Sequence, residues 1–305
     1  LNTKLREVDN LNMKPRFDGA WLVFLGALLW STNAPLIKWL TMDAFLLSGM
    51  RALVAGLLLL PALRPRKLLF NGYTVLMLVS FCAISLSIVF GLRMTSAPIA
   101  VGMQYTSPLW LYGLCFVKGP RPVPAKLIPL GLLLAGVVMF MFSSGEGVTL
   151  TGNLIALSTS FTFAALTVST KKVSAENPLG GVALCCLFMA FFVFAFLPPK
   201  LSDIGAIPAD QWPIILFLGA CQTGAGYALY NTGLKYTTPQ KAAMLSPCEM
   251  VLGPLWVALF LREYPQPVAL AGFALILCGI VCDLWIDRAI ARRTALQETQ
   301  PTLIP

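Results

Sequence analysis

Residues 238–263 read TPQKAAMLSPCEMVLGPLWVALFLRE. The stretch is apolar enough to cross a membrane as a helix, and long enough, since about 20 apolar residues span the hydrocarbon core. Near its centre stands one carboxylate, Glu249. An ionisable group at that depth faces protein or a water-filled cavity rather than lipid. Ala242, Ser246, Glu249 and Gly253 recur at helical spacing, which predicts one small, polar helix face. A related stretch, residues 96–118, lies 142 residues earlier, and the chain reads as two halves built around this pair.

Composition excludes several classes of function. Hydrophobic residues make up 57% of the 305 and charged residues 11%, against roughly 25% charged in soluble domains; the mean hydropathy is +0.78. The net charge of +9 comes from Lys and Arg in short loops and tails, with no basic face interleaved with aromatics, so nucleic acid is not expected as a partner. There is no histidine, which removes Ser-His pairs and His metal sites, and no P-loop motif for ATP. With one central carboxylate and no clustered acid, base or metal set, an intramembrane enzyme is not expected, nor is a cofactor. The eight cysteines sit in apolar runs without CxxC spacing and read as small buried hydrophobes.

Ten apolar runs follow a polar segment, at about 19–40, 44–62, 71–92, 96–117, 124–143, 151–172, 178–197, 211–233, 239–261 and 266–286. They predict an all-α, polytopic membrane protein of ten transmembrane helices, because the alternation of barrel strands is absent. Residues 1–18 lack the apolar core and cleavage site of a signal peptide, so the first run is expected to stay as an anchor. Seventeen of the 22 Lys and Arg fall on one side of such a topology. The positive-inside rule then puts both termini in the cytoplasm. The expected organisation is an N-terminal tail 1–18, a first five-helix unit 19–143, a second 151–286 and a C-terminal tail 287–305.

The two units resemble each other. Gly91-Leu-Arg-Met-Thr95 matches Gly233-Leu-Lys-Tyr-Thr237 at an offset of 142, Ala135-Gly136-Val137 matches Cys278-Gly279-Ile280 at 143, and Gly19 and Lys38 match Gly152 and Lys171 at 133. Five is odd, so the two units insert with opposite orientation, the inverted repeat common in secondary transporters, which bind substrate near mid-membrane.

These features carry a resemblance to the drug/metabolite transporter superfamily in its ten-span form with two EamA-type repeats. It rests on the duplication, Leu29-Trp30-Ser31-Thr32, Arg51 in the second run, the Gly-Leu-Arg/Lys-x-Thr turns, and Glu249 fourteen residues before Glu263. Leu29–Thr32 and Val101-Gly102-Met103 are similar to bacterial aromatic amino acid exporters, while Met250 stands where members often carry proline. The resemblance implies export of aromatic and other amphipathic amino acids, or similar metabolites, across the inner membrane. A passive channel, or an exporter of drugs or nucleobases, is the alternative on the same fold.

Candidate cavity-lining residues follow from polar and aromatic groups inside the runs. Trp30 and Asn33 share a face of the first run, with Phe163 the counterpart of Trp30 at offset 133. Met103, Gln104, Tyr105 and Ser107 cluster in the fourth beside Pro108, which can kink a helix. Tyr227, Tyr230 and Asn231 share a face of the eighth, and Ser246 and Glu249 complete the set in the ninth. Rings and amides together suit an amphipathic ligand in a lipid-embedded cavity. Glu249 is the candidate for coupling to protons or for holding a substrate ammonium. Arg51 reads as a structural charge that binds carbonyls or an acid such as Asp43. Gly102, Pro108, Gly226, Pro247 and Gly253 are expected flexing points, and Gly91 and Gly233 helix ends.

Overall fold

The computed structural model describes residues 19–95, 97–118, 123–142, 149–197, 204–252, 256 and 266–299. Among these residues every regular element is helical. The helices are α1 (Gly19–Trp30), α2 (Asn33–Trp39), α3 (Ala44–Leu59), α4 (Gly72–Met94), α5 (Ala97–Gln104), α6 (Ser107–Lys118), α7 (Leu127–Phe142), α8 (Leu150–Val173), α9 (Pro178–Phe196), α10 (Trp212–Phe217), α11 (Gly226–Lys235), α12 (Pro239–Leu245) and α13 (Pro267–Thr299). A π-helix, Leu218–Ala225, joins α10 to α11.

Seven helices among the described residues are long and apolar enough to cross a membrane. The runs expected at 96–117 and 124–143 are not in that set, and much of 239–261 lies outside the described residues. The first is split at Tyr105-Thr106 into α5 and α6, the second forms the 16-residue α7, and the third breaks after Leu245. Glu263, Gly253 and the tail 1–18 lie outside the described residues. α13 runs on to Thr299, through part of the segment read as a C-terminal tail from 287. Large apolar side chains such as Val117, Phe142, Leu150 and Trp285 face outward, as lipid-exposed surfaces require. Buried Thr159, Thr167 and Ser169 of α8 donate back to carbonyls of their own helix, which keeps them satisfied in an apolar interior.

Helix starts are set by local side chains. The Asp43 carboxylate accepts from the N–H groups of Phe45 and Leu46 at 2.8 and 3.0 Å. Asn71 and Thr74 form a capping box, and Thr149, Asn177 and Thr238 cap α8, α9 and α12. Two helix ends are closed by cations from elsewhere. Arg93 donates to the carbonyls of Met42 and Leu40 just past α2, and Lys171 to those of Leu234 and Thr237 at the end of α11. Lys126 pairs with Asp283 (2.7 Å) and Asp287 (2.5 Å), tying the start of α7 to α13.

The main packing partners are α1 with α11, α3 with α9, α4 with α8, and α7 with α13. Glycines bring them close. Gly19 and Gly233 face each other's backbone, a Cβ on Gly233 lying 2.6 Å from the Gly19 carbonyl oxygen. Gly91 and Gly233 were expected to end helices, yet α4 runs on to Met94 and α11 to Lys235, and at Gly233 it is the close approach that the missing side chain serves. At the α7–α13 crossing, a Cβ on Gly136 would meet Gly272 and Ile276, and one on Gly279 would meet Pro129 and Leu133. A shift of 143 residues turns the first contact into the second. Gly136→Val and Gly279→Val are therefore expected to destabilise the protein by similar amounts, about 1–3 kcal/mol each, measured as unfolding in detergent micelles.

Candidate functional site

Four interruptions of the helices meet in one place. Turns at 31–32, 105–106 and 246–247 break the first, fourth and ninth apolar runs, and the π-helix 218–225 distorts the eighth. At the turns the backbone switches to shorter-range bonds, with Thr32 N–H donating to Leu29, Thr106 to Met103 and Glu249 to Ser246. Proline stands at or just after each turn, as Pro35, Pro108 and Pro247, and lacks the N–H that would continue the ladder. The π-helix is a geometry that recurs at functional sites.

The interruptions surround a cavity of about 30 Å³, room for roughly two water molecules. Trp30, Asn33, Gln104 and Glu249 reach it from beside the three turns, Gln222 and Thr223 from the π-helix, and Tyr227 from α11. Ser48, Arg51 and Ala52 close it from α3, and Phe81, Ile84, Ser85 and Ile88 from α4.

Arg51 is 7% exposed. Its guanidinium donates to the Gln222 side-chain oxygen and, at 3.3–3.4 Å, to the Thr223 hydroxyl, which in turn donates to Gln222 at 3.0 Å. Gly219 allows this arrangement, because a Cβ there would sit 2.6 Å from Val54 Cβ and 3.1 Å from the Arg51 carbonyl oxygen. No carboxylate among the described residues forms an ion pair with Arg51. Asp43, an acid that the sequence offered as one possible partner, caps α3 instead. Glu249 is equally buried and accepts a hydrogen bond from the Tyr105 hydroxyl. One small cavity thus carries a cation and a carboxyl group, each held by neutral partners. Among the described residues, three further buried polar atoms on its wall, Trp30 Nε1, Asn33 Oδ1 and Ser48 Oγ, have no hydrogen-bond partner.

An aromatic wall fixes Trp30. Its ring centroid lies 4.8 Å from that of Tyr227, 5.0 Å from Tyr230 and 6.1 Å from Phe163. Gly226 makes room for the indole, since a Cβ there would fall 2.6 Å from Trp30 Nε1. Tyr230 is held from behind by Thr167, at 3.0 Å between hydroxyls.

The residues expected from sequence therefore divide. Trp30, Asn33, Gln104, Tyr227 and Glu249 lie on the wall, Tyr105 holds Glu249, and Phe163 and Tyr230 back Trp30. Met103, Ser107, Asn231 and Ser246 do not reach the wall. Ser246 donates back to the Ala242 carbonyl at 2.8 Å, because the chain turns there, and the single polar face expected along 242–253 is interrupted. Ser48, Gln222 and Thr223 were not anticipated. Ser48 stands three residues before Arg51, hence on its face of the helix, and Gln222-Thr223 is a polar pair inside an apolar run. Cys278, read as buried, is exposed on the outer face of α13.

Residues 150–284 match the EamA-like transporter family. Over 92% of its length, the chain is 27% identical to a probable amino-acid metabolite efflux pump of Salmonella typhimurium (strain LT2), of which it covers 98%. A solved crystal structure shares the fold with a TM-score of 0.73 at 18% identity, over 89% of this chain and 98% of that one. The family match contains Gln222, Thr223, Tyr227 and Glu249, whereas Trp30, Arg51 and Gln104 lie outside it.

The Tyr105–Glu249 contact gives a direct test of the site's geometry. Tyr105→Phe and Glu249→Gln, made singly and together, are expected to show a coupling energy of about 1–3 kcal/mol in a double-mutant cycle of unfolding in micelles. Additive effects would mean the two side chains do not interact.

Proposed function

We propose that this chain is a secondary exporter of amino acids, aromatic and other amphipathic ones, or similar small metabolites, in the bacterial inner membrane. The observation that carries the reading is the cavity where four interrupted helices meet, with Arg51 and Glu249 on its wall. Broken helices around a mid-membrane site are the usual build of secondary transporters. The efflux pump to which the chain is similar supports amino acids as the first class to test.

In this reading the chain has ten spans in two inverted units, 19–143 and 151–286. The self-matching α7–α13 crossing supports it, as do the pairings of α1 with α11 and α4 with α8, which exchange under the same relation of halves. The bias of Lys and Arg supports cytoplasmic termini. A cavity of about 30 Å³ is far below the ~300–1,000 Å³ typical of small-molecule sites. The state described is thus a contracted one, and the site opens to each side in turn by rocking of the units. That contraction favours an alternating carrier over a standing channel. Glu249, buried and mid-span, is the proposed proton-coupling group.

The test is flux of labelled Trp, Phe, Met, Thr, Lys and Glu through liposomes containing the purified protein, with and without a proton gradient. Saturable flux of at least one amino acid, accelerated by the gradient, is the expected result. In Glu249→Gln the acceleration is expected to disappear while downhill flux persists. Absence of flux for every amino acid would overturn the amino acid reading, and full gradient response in Glu249→Gln would remove that residue as the coupling site.

A further inference from the structure

We infer that the cavity recognises its substrate by two opposite charges at once, Arg51 taking a carboxylate and Glu249 an ammonium, so that it selects zwitterionic α-amino acids over acids or amines of the same shape. The inference rests on the proposed exporter function and names the chemistry of the same site.

Arg51 and Glu249 are two buried ionisable groups that do not meet. Arg51 and Glu249 line one cavity, yet no ion pair joins them. Arg51 is turned to Gln222 and Thr223, and Glu249 to Tyr105. Elsewhere in the protein a buried acid does meet a cation, Asp283 pairing with Lys126 at 2.7 Å. A cation held in an apolar interior by neutral acceptors alone is poorly compensated. The guanidinium presents a planar fork of donors that matches a carboxylate, and Gln222 and Thr223 do not supply the missing negative charge.

The unpartnered atoms of the wall fit the same division. Trp30 Nε1–H is a donor and the Ser48 hydroxyl can donate, which suits a carboxylate; Ser48 lies on the helix of Arg51, three residues before it. Asn33 Oδ1 is an acceptor, which suits an ammonium. The ring of Tyr227 and the aromatic cluster around Trp30 offer apolar contact for a side chain. A substrate with only one charge would leave the opposite protein charge buried without a partner, a penalty that shows as loss of affinity.

The experiment is competition against labelled L-phenylalanine and L-methionine flux in liposomes. The competitors are the unlabelled amino acids, their decarboxylated forms (phenethylamine and 3-(methylthio)propylamine) and their deaminated forms (3-phenylpropionate and 4-(methylthio)butyrate). Each single-charge analogue is expected to inhibit about 100-fold more weakly than its amino acid. In Arg51→Gln, checked for monodispersity in detergent, discrimination against the amines is expected to collapse to within about threefold, with discrimination against the acids kept. Glu249→Gln is expected to show the reverse. Should amino acid flux proceed while amines or acids inhibit the wild-type protein as well as the amino acids do, the two-charge inference is overturned and the exporter reading stands. Should no amino acid move, both fall. The wild-type series decides the matter even where a variant fails to fold.

Discussion

Arg51 occupies the middle of an apolar helix, and its environment is arranged around the need to keep a guanidinium there. The facing segment unwinds into a π-helix, which brings two consecutive polar side chains, Gln222 and Thr223, to the same cation. Gly219 lets the two backbones approach closely enough for those bonds to form. The next turn carries Gly226, whose missing side chain admits the indole of Trp30, and the indole anchors the aromatic wall. Arg51, the π-helix and Trp30 thus form one continuous set of contacts across the cavity.

The interruptions also answer the constraint that lipid places on a backbone. Non-helical chain at membrane depth is tolerated only where protein or a cavity covers it. Here the three turns and the π-helix face one another, so the irregular backbone is gathered into a single interior region. The surrounding regular helices present apolar side chains outward, and their own buried hydroxyls bond within the helix. Polarity that would be costly at the lipid surface is thereby concentrated where a polar ligand can meet it.

Much of this was legible in the sequence, and the boundary of legibility has a physical basis. Helix limits such as Gly72–Met94 and Pro178–Phe196 fall within two residues of the apolar runs, because hydrophobic length and capping residues are local signals. Glu249, Trp30 and Gln104 stood out as polar or aromatic groups in apolar surroundings. The breaks after Trp30, Gln104 and Leu245 were only hinted at by nearby prolines, so Ser246 was placed on a continuous face that the chain does not make. Arg51 was expected to bind neighbouring carbonyls or an acid such as Asp43, whereas its partners are neutral side chains 171 and 172 residues away. A pairing that depends on a π-helix leaves no periodic trace in composition.

The α7–α13 crossing relates residue 136 to 272 and 276 as it relates 279 to 129 and 133, the reciprocity found across the interface of a symmetric dimer. In a dimer of identical copies, any substitution appears on both sides of the axis. Within one chain the two sides mutate independently. At the offset of 142, Glu249 corresponds to Ser107, and Gln222 to Ser80. The contacts at the crossing are reciprocal while the polar groups at matching positions differ, an uneven distribution of charge that no pair of identical subunits could carry.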